Sequence, residues 1–466
     1  MSSKPQTLFD KLWASHRIGS AGDGADLIAI DRILLHERTG GVALKMLAET
    51  GHAVHAPSRV FAIMDHIVSY RADRAADDAR SPGGEVFIRE TRNMAQYAGI
   101  HLIDSNDPRQ GIVHVIAPEL GIAIPGASLV CPDSHTCSLG ALGTLAWGIG
   151  SSEAEHAMAT GTLRVNPPPQ MRITIHGELP EGAGAKDLAL HIIAQHGASG
   201  GKRCAVEYAG SAVENLSVEE RLTLCNLAVE FSAFTAIIRP DDKVFEYVEG
   251  RPFSPAQEYA HRAAKQWMAL ETDEHAEFDY ELSIDASQVD PLVSWGTSPA
   301  QSSAIHTPIS QNADSRAMAY MGLEPGAPLA GLRIDGAFIG SCTNGRLSDL
   351  RSAARILAGQ KVASHVHAVC VPGSQQVKRQ AEAEGLDIVF KSAGFEWGAP
   401  GCAMCFYAGG MTFPPDARVI SSTNRNFEGR QGPRVRTHLA SPATVAASAV
   451  AGMIAQSESS KPEIDA

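Results

Sequence analysis

The chain has 466 residues, of which 44% are hydrophobic and 20% are charged, a composition that suits a protein with roughly two to four domains. Its net charge of −13 argues against a protein that binds nucleic acid broadly, because a phosphate backbone selects for basic surfaces. No run approaches the ~20 apolar residues that cross a membrane, and the N-terminal segment lacks the apolar stretch of a secretory signal, so we expect a cytoplasmic protein with no membrane partner.

The first predicted unit covers residues 1–170. Short apolar runs and one amphipathic segment alternate along it, which is typical of a mixed α/β domain. The predicted buried strands are LIAI (27–30), VFAIMD (60–65) and GIVHVI (111–116), and the predicted helix covers 86–98. Consecutive prolines in VNPPPQ (165–170) end this unit, because proline cannot continue a helix or a central strand.

Two further α/β units are predicted, over residues 171–277 and 278–455, with a hydrophilic boundary segment at 249–278. The second unit begins with the strand MRITIHG (171–177) and a helix over 186–196. The third contains the strands FDYELSI (278–284), RIDGAFIG (333–340) and HVHAVCVPG (365–373), and a helix over 349–357. The polar tail 456–466 is expected to be disordered.

Three of the eight cysteines have the spacing of a metal site. Cys342 follows an apolar strand in IGSCTN, while Cys402 and Cys405 form a C-x-x-C in PGCAMC. Three thiolates are one short of the four that close a structural zinc site or an electron-transfer cluster, so a cluster that they hold would keep one iron open. A Cys₃His zinc site and a redox dithiol are the alternatives. The other cysteines are expected to be structural: Cys131, Cys137, Cys204, Cys225 and Cys370.

Histidines and carboxylates occur together at three predicted strand ends or apolar runs of the first unit. They are Asp65-His66, His114 and Asp133-Ser134-His135. A single histidine between apolar residues is usually part of the core, but three such segments in one domain favour a convergent catalytic site. An aspartate beside a histidine can fix its tautomer and tune its pKa.

Arg425 and Arg430 lie in the segment SSTNRNFEGRQG (421–432), after a predicted strand. Guanidinium groups bind carboxylates in a bidentate manner, so these two residues are candidates to hold a small di- or tricarboxylate.

Five motifs, in order, give the chain its resemblance to the aconitase superfamily: MDH, DSHT, IGSCTN, PGCAMC and NRNFEGR. Segments such as TLCNLAVE (223–230) and VSWGTSP (293–299) are most similar to the branch formed by the large subunits of 3-isopropylmalate dehydratases. The resemblance implies a three-domain α/β/α arrangement around a central cleft. The swivelling fourth domain of one-chain aconitases has no counterpart here, so a separate small subunit is implied.

The resemblance also implies roles for individual residues. One 4Fe–4S cluster with an open iron would be held by Cys342, Cys402 and Cys405, near Asn226 and Asn424. The catalytic residues would be Asp65, His66, His114, Asp133, His135 and Glu230, with His114 paired to Glu230. The substrate would be bound by Ser134, Arg425 and Arg430. The implied activity is a hydro-lyase reaction on a 2-alkylmalate, with isomerisation of 2- and 3-isopropylmalate in leucine biosynthesis as the first choice.

Departures from the family pattern at Pro132, Ser138 and Lys202-Arg203 keep a second activity open, the hydration of citraconate or the dehydration of 2-methylmalate or another alkylmalate. Two hypotheses of other classes are an iron-responsive RNA-binding regulator and a zinc or dithiol module. The acidic composition disfavours the regulator.

Overall fold

The computed structural model describes residues 4–456, so the predicted disordered tail lies, from residue 457 onward, outside the described residues. Among residues 4–456, no helix has both the length and the apolar character needed to span a bilayer. Parallel sheets alternate with helices along most of this stretch, which confirms the predicted α/β class.

The first unit is built on a five-stranded parallel sheet in the order β5-β4-β3-β6-β7, with a small antiparallel sheet, β1-β2-β8, beside it. Its strands are β1 (Arg17–Gly22), β2 (Ala25–Ala29), β3 (Arg32–His36), β4 (Val60–Ile63), β5 (His101–Ile103), β6 (Ser128–Cys131), β7 (Leu145–Gly148) and β8 (Thr162–Val165). Its helices are α1 (Leu8–His16), α2 (Gly40–Glu49), α3 (Gly84–Ala98), α4 (Val113–Glu119) and α5 (Ser151–Thr160).

The predicted strand at 111–116 is wrong, because helix α4 begins at Val113. Every residue of this run is buried, so the sequence shows neither the alternation of a strand nor the one-sided period of a helix. A tertiary contact anchors the helix: the N–H of Val113 donates to Asp65 Oδ2 at 2.8 Å.

The second unit has a four-stranded parallel sheet in the order β11-β10-β9-β12. Its strands are β9 (Gln170–His176), β10 (Ala205–Ala209), β11 (Thr235–Ile238) and β12 (Tyr280–Asp285). Its helices are α6 (Ala185–His196), α7 (Ser211–Asn215), α8 (Val218–Asn226), α9 (Asp242–Val248) and α10 (Gln257–Met268). Strand β12 pairs with β9, so the predicted boundary at 277/278 is misplaced and this unit extends to Asp285. The hydrophilic segment 249–278, which predicted a domain boundary, contains helix α10 and the loop that leads to β12.

The third unit contains a five-stranded parallel sheet, β17-β16-β15-β18-β19, and a separate hairpin, β13-β14. Its strands are β13 (Leu292–Ser294), β14 (Ser302–Ala304), β15 (Gly336–Ile339), β16 (His367–Cys370), β17 (Glu396–Trp397), β18 (Arg418–Ser421) and β19 (Arg436–Leu439). Its helices are α11 (Ser315–Met321), α12 (Leu347–Leu357), α13 (Gln375–Ala383), α14 (Leu386–Ala393) and α15 (Pro442–Ala451).

The hydrophobic cores contain residues from more than one unit. One core joins Leu34 and Phe61 of the first unit to Ile173 and Leu222 of the second. Helix α4 contributes Ile116 to that core and Val115 to the core of the third unit. The three units therefore meet around α4, beside the strand ends that carry the candidate site.

Candidate active site

The candidate site lies at the carboxyl ends of two parallel sheets. In the first unit, adjacent strands β4, β3 and β6 are followed by Asp65-His66, Glu37 and Asp133. In the third unit, adjacent strands β15 and β18 are followed by Cys342 and by the loop that carries Asn424. Open α/β sheets bind their ligands at this edge, because the loops that follow parallel strands converge there.

His66 is held between two carboxylates. Its Nδ1 lies 2.7 Å from Asp65 Oδ1 and its Nε2 lies 3.0 Å from Asp133 Oδ2. Burial alone would lower the pKa of His66, but the charges of Asp65 and Cys402 and the bond to Asp133 outweigh it and raise this pKa well above its usual value. Burial would raise the pKa of Asp133, but His135 and His66 hold it well below the usual range. The site therefore favours an imidazolium, which can donate a proton.

Glu37 shapes the turn that carries Asp65 and His66. Its fully buried carboxylate accepts the backbone N–H of Asp65 at 3.0 Å, that of Ile67, and that of Val68 at 3.3 Å. Sequence analysis missed this residue, although its position after the apolar strand RILLH was a usable signal. Glu37 thereby fixes the backbone of the turn from which Asp65 and His66 project.

A second cluster joins the first and third units through the second. His135 Nε2 lies 3.0 Å from Glu230 Oε1, and Arg425 Nε donates to the same oxygen at 2.6 Å. Burial would raise the pKa of Glu230, but His135 and Arg425 lower it, so its carboxylate is charged. The predicted pairing of His114 with Glu230 is wrong, because His135 occupies that position.

His114 lies deeper in the wall of the site. Its Nε2 is 3.2 Å from Thr136 Oγ1 and its Nδ1 is 4.0 Å from Asp133 Oδ1. Burial lowers the pKa of His114 to about 4, so the imidazole is neutral at pH 7. Ser134 is exposed at the start of the 3₁₀ helix Ser134–Leu142. Ser138, a departure from the family pattern, is buried and accepts a hydrogen bond from Asn226 Nδ2 at 2.8 Å.

The three candidate ligand cysteines are buried, unpaired and close to the same two asparagines. Cys342 is 8% exposed, Cys402 6% and Cys405 5%. The amide nitrogens of Asn226 and Asn424 lie 3.4 and 3.3 Å from Cys342 Sγ. The Asn424 side chain also lies 3.8 Å, through Oδ1, from Cys405 Sγ. One asparagine thus links the IGSC loop to the C-x-x-C loop.

The C-x-x-C loop also contacts the acid–histidine turn. The Cys402 N–H donates to the Asp65 carbonyl at 2.8 Å, and Cys402 Sγ lies 4.0 Å from Asp65 Oδ2. Cys402 and the turn that carries Asp65 and His66 therefore meet at the junction of the first and third units. This arrangement joins the cysteine and histidine–carboxylate groups that the sequence predicted separately.

The three cysteine sulfurs do not have the spacing of ligands to a single zinc ion. Three sulfurs on one zinc ion, at ~2.3 Å each, would lie ~3.8 Å apart. Among residues 4–456, the one group of three or more metal-ligating side chains whose atoms all lie within 4.8 Å is His36, Glu37, Asp65 and His66, and the cysteines form no such group. At least one of the distances between the three sulfurs therefore exceeds 4.8 Å, which is wider than the spacing of thiolates on one zinc ion.

Among residues 4–456, no acidic side chain forms an ion pair with the three arginines near Cys405 and Phe406. Arg430 Nη2 donates to Cys405 Sγ at 3.6 Å, and its Nε is buried with no partner. The guanidinium carbons of Arg80, Arg38 and Arg430 lie 4.1, 4.8 and 5.5 Å from the centre of the Phe406 ring. A concentration of unpaired guanidinium groups beside three thiols suits anionic groups, such as a thiolate-bound cluster and a carboxylate substrate.

Comparisons with known proteins found similarity along nearly the whole chain. Residues 10–452 match the aconitase family (aconitate hydratase). The 3-isopropylmalate dehydratase large subunit 1 of Bradyrhizobium diazoefficiens is 48% identical over 465 residues, which cover 98% of this chain and 97% of that protein. A crystal structure of aconitase X from Thermococcus kodakaraensis, in its holo form, aligns with 86% of this chain and 85% of its own, at 13% identity and a TM-score of 0.45.

Proposed function

Because this chain belongs to the aconitase family and is a hydro-lyase of that family, we propose that it is the large subunit of a 3-isopropylmalate dehydratase. It would interconvert 2-isopropylmalate and 3-isopropylmalate in leucine biosynthesis, in the cytoplasm. The observation that carries the proposal is the contact between Cys402 and Asp65, which brings three free thiols to a histidine held by two carboxylates.

Proteins of the aconitase family generally carry a 4Fe–4S cluster, and we propose that Cys342, Cys402 and Cys405 hold it here. When bound, a cluster with three cysteine ligands supplies a Lewis acid at its open iron, which polarises a substrate hydroxyl or carboxylate. Asn226 and Asn424 would fix the cysteine loops from the second and third units, through their contacts with Cys342.

The charged residues of this chain would donate the proton and bind the substrate carboxylates. His66, kept protonated by Asp65 and Asp133, would donate a proton to the departing hydroxyl. Arg425 and Arg430 would hold the carboxylates of the substrate, so that dehydration and rehydration share one geometry. Glu230, which is bonded to His135, would orient Arg425 toward the site by accepting the 2.6 Å hydrogen bond from Arg425 Nε.

The proton next to the carboxylate needs a base, which we assign to a separate small subunit. The name of the Bradyrhizobium diazoefficiens relative, a large subunit, supports such a partner. Substrate choice is then shared between the two subunits. For this reason the assay must include both chains.

The test is anaerobic co-expression with a small subunit, followed by assays with 2-isopropylmalate, citraconate and citrate. Cys402→Ser should abolish both the visible absorption and the activity. The buried Cys204, which lies outside the site, provides the matched control Cys204→Ser, which should keep both. A colourless Cys402→Ser protein with full activity, or stoichiometric zinc in place of iron, would refute the assignment.

A further inference from the structure

Arg80 lies behind the cysteine pair and bridges two loops of the site. It is 3% exposed. Its Nε donates to the His66 carbonyl at 2.8 Å and its Nη1 donates to the Phe406 carbonyl at 2.8 Å. One guanidinium therefore joins the turn of the first unit that carries the acid to the loop of the third unit that carries Cys405.

The third nitrogen of this guanidinium, Nη2, is buried, and no group among residues 4–456 accepts a hydrogen bond from it. A buried donor of a charged group without a partner is costly, so this nitrogen calls for an acceptor that residues 4–456 do not supply. No carboxylate among residues 4–456 forms an ion pair with Arg80. Burial lowers the pKa of Arg80, and the strongest opposing charges are those of Cys402 and Cys405.

Arg74 provides an internal comparison. It also joins the first unit to the loop before Cys402, because its Nη1 donates to the carbonyls of Ser69 and Pro400, each at 2.7 Å. Its Nη2 donates to the Ser105 carbonyl at 3.2 Å and to Gln110 Oε1 at 2.7 Å. Both terminal nitrogens of Arg74 are thus bonded to oxygen, and neither cysteine contributes to its electrostatic environment. Arg74 thus links two units with both of its terminal nitrogens bonded. A linking role alone therefore does not explain why Nη2 of Arg80 is left without an acceptor.

We propose that Arg80 is a positioning residue for the iron–sulfur cluster, and that its free Nη2 N–H group donates to a sulfur atom of the bound cluster or of its cysteine ligands. This inference rests on the proposed function, because it presumes that the three cysteines hold a cluster. A buried cation with an N–H aimed at cluster sulfur favours the more negative oxidation state. Hydrogen bonds to the sulfurs are among the factors that set the potentials of such clusters. Arg80 therefore both retains the cluster and raises its reduction potential.

The experiment uses the full chain, purified and reconstituted without oxygen, as wild type and as Arg80→Met, Arg80→Lys and Arg74→Met. Iron release to a chelator is followed by the loss of visible absorption, and the midpoint potential is taken from a redox titration monitored by electron paramagnetic resonance. Arg80→Met should release iron about tenfold faster, as expected for one lost charge-assisted hydrogen bond, and should have a lower potential. Arg74→Met should keep the wild-type potential.

Arg80→Lys separates charge from geometry. A lysine keeps the positive charge, but its single nitrogen cannot reach both carbonyls and a sulfur, so its release rate should lie between those of wild type and Arg80→Met. If Arg80→Met does not fold, this variant carries the test. A wild-type protein that binds no iron refutes the proposed function. A loaded wild type whose release rate and potential are matched by every folded Arg80 variant overturns this inference alone.

Discussion

His438, on β19, shows how a single buried side chain can be kept in one protonation state. Arg418 Nη1 donates to His438 Nε2 at 2.9 Å, so the proton of the neutral ring must be on Nδ1, which donates to the Ser294 carbonyl at 2.6 Å. Burial and then the charge of Arg418 lower the pKa of His438 to about 3. The folded protein cannot place a second proton on this ring without opposing a guanidinium.

This arrangement predicts acid sensitivity. In the unfolded chain the pKa of His438 returns to 6.5, so between pH 6.5 and 3 the unfolded state binds the proton and the folded state does not. Stability should therefore fall as pH falls through that window, by up to ~1.4 kcal/mol per pH unit from this group. In His438→Gln, the amide can accept from Arg418 and donate to Ser294, so the loss in urea midpoint between pH 7 and pH 5 should shrink. The exposed His52 provides the control His52→Gln, which should lose as much urea midpoint as wild type. If His438→Gln also lost as much as wild type, the role of His438 in acid sensitivity would be contradicted.

The contacts of Glu37 with the turn that carries Asp65 and His66 lead to a prediction about catalysis. In Glu37→Gln, an NH₂ group replaces one oxygen that accepts backbone N–H groups, so two donors oppose each other and the turn that carries Asp65 and His66 shifts. We expect kcat to fall by about ten- to a hundredfold with a smaller change in KM, because proton transfer depends on this geometry more than binding does. Steady-state kinetics of the two-subunit enzyme test this. Glu49→Gln, an exposed residue on α2, should behave as wild type; equal kcat values for both variants would disprove the role of Glu37.

At the scale of elements, a close approach of backbones positions the 3₁₀ helix Ser134–Leu142, which includes Ser134 and His135 of the DSH motif. This helix lies against β11, and a Cβ added to Gly140 would lie 1.7 Å from the Ala236 carbonyl oxygen. That contact is with backbone, which cannot rotate away. The glycine lets the segment that carries His135 rest directly on the sheet of the second unit.

Gly140→Ala should therefore destabilise the protein by about 1–3 kcal/mol, the usual cost of overpacking, and lower the melting temperature. Gly19 in β1 has no atom within 4 Å of an added Cβ, so Gly19→Ala is the matched control. Thermal unfolding followed by circular dichroism measures both variants. A Gly140→Ala protein as stable as Gly19→Ala would show that the sheet and the helix can separate at little cost.

Elements with a clear period could be predicted from the sequence, and those defined by distant partners could not. Helix α3 and strand β9 have amphipathic or alternating patterns, and both lie within two residues of the predicted bounds. Helix α4 is buried all round, and β12 joins its sheet by pairing with β9 across more than a hundred residues. Local sequence contains no information on either contact.

The candidate site divides in the same way. Cys342, Cys402 and Cys405 could be predicted because their chemistry and their positions after strands or in a C-x-x-C motif are visible in the sequence. Arg80 could not, because its segment has no motif and its importance comes from carbonyls and an unpaired nitrogen. The preference of Glu230 for His135 over His114 likewise depends on three-dimensional distances.

Across the whole molecule, the net charge is negative, but one part of the site gathers positive side chains. The chain carries a net charge of −13, yet arginines gather around Phe406. Arg38 is exposed, lies 4.8 Å from the centre of the Phe406 ring, and pairs with no acidic side chain among residues 4–456. Such a local field can attract an anionic substrate to an otherwise repulsive surface.

Arg38→Ala should therefore reduce kcat/KM by roughly three- to tenfold at low ionic strength, mainly through KM, and by less at high salt, where the field is screened. The exposed Arg262 on α10 provides the control Arg262→Ala, which removes the same charge far from the site. Measurement of kcat/KM for both variants at about 0.02 M and about 0.3 M salt tests this prediction. Equal effects of the two variants would show that Arg38 acts only through net charge.

The asparagine contacts at Cys342 have a consequence for biosynthesis. Asn226 lies near the midpoint of the polypeptide, whereas Asn424 and the C-x-x-C pair lie in its last third and are translated later. A nascent chain shorter than 405 residues lacks at least one of the three cysteines. A cluster held as proposed can therefore be completed only after most of the third unit has been translated.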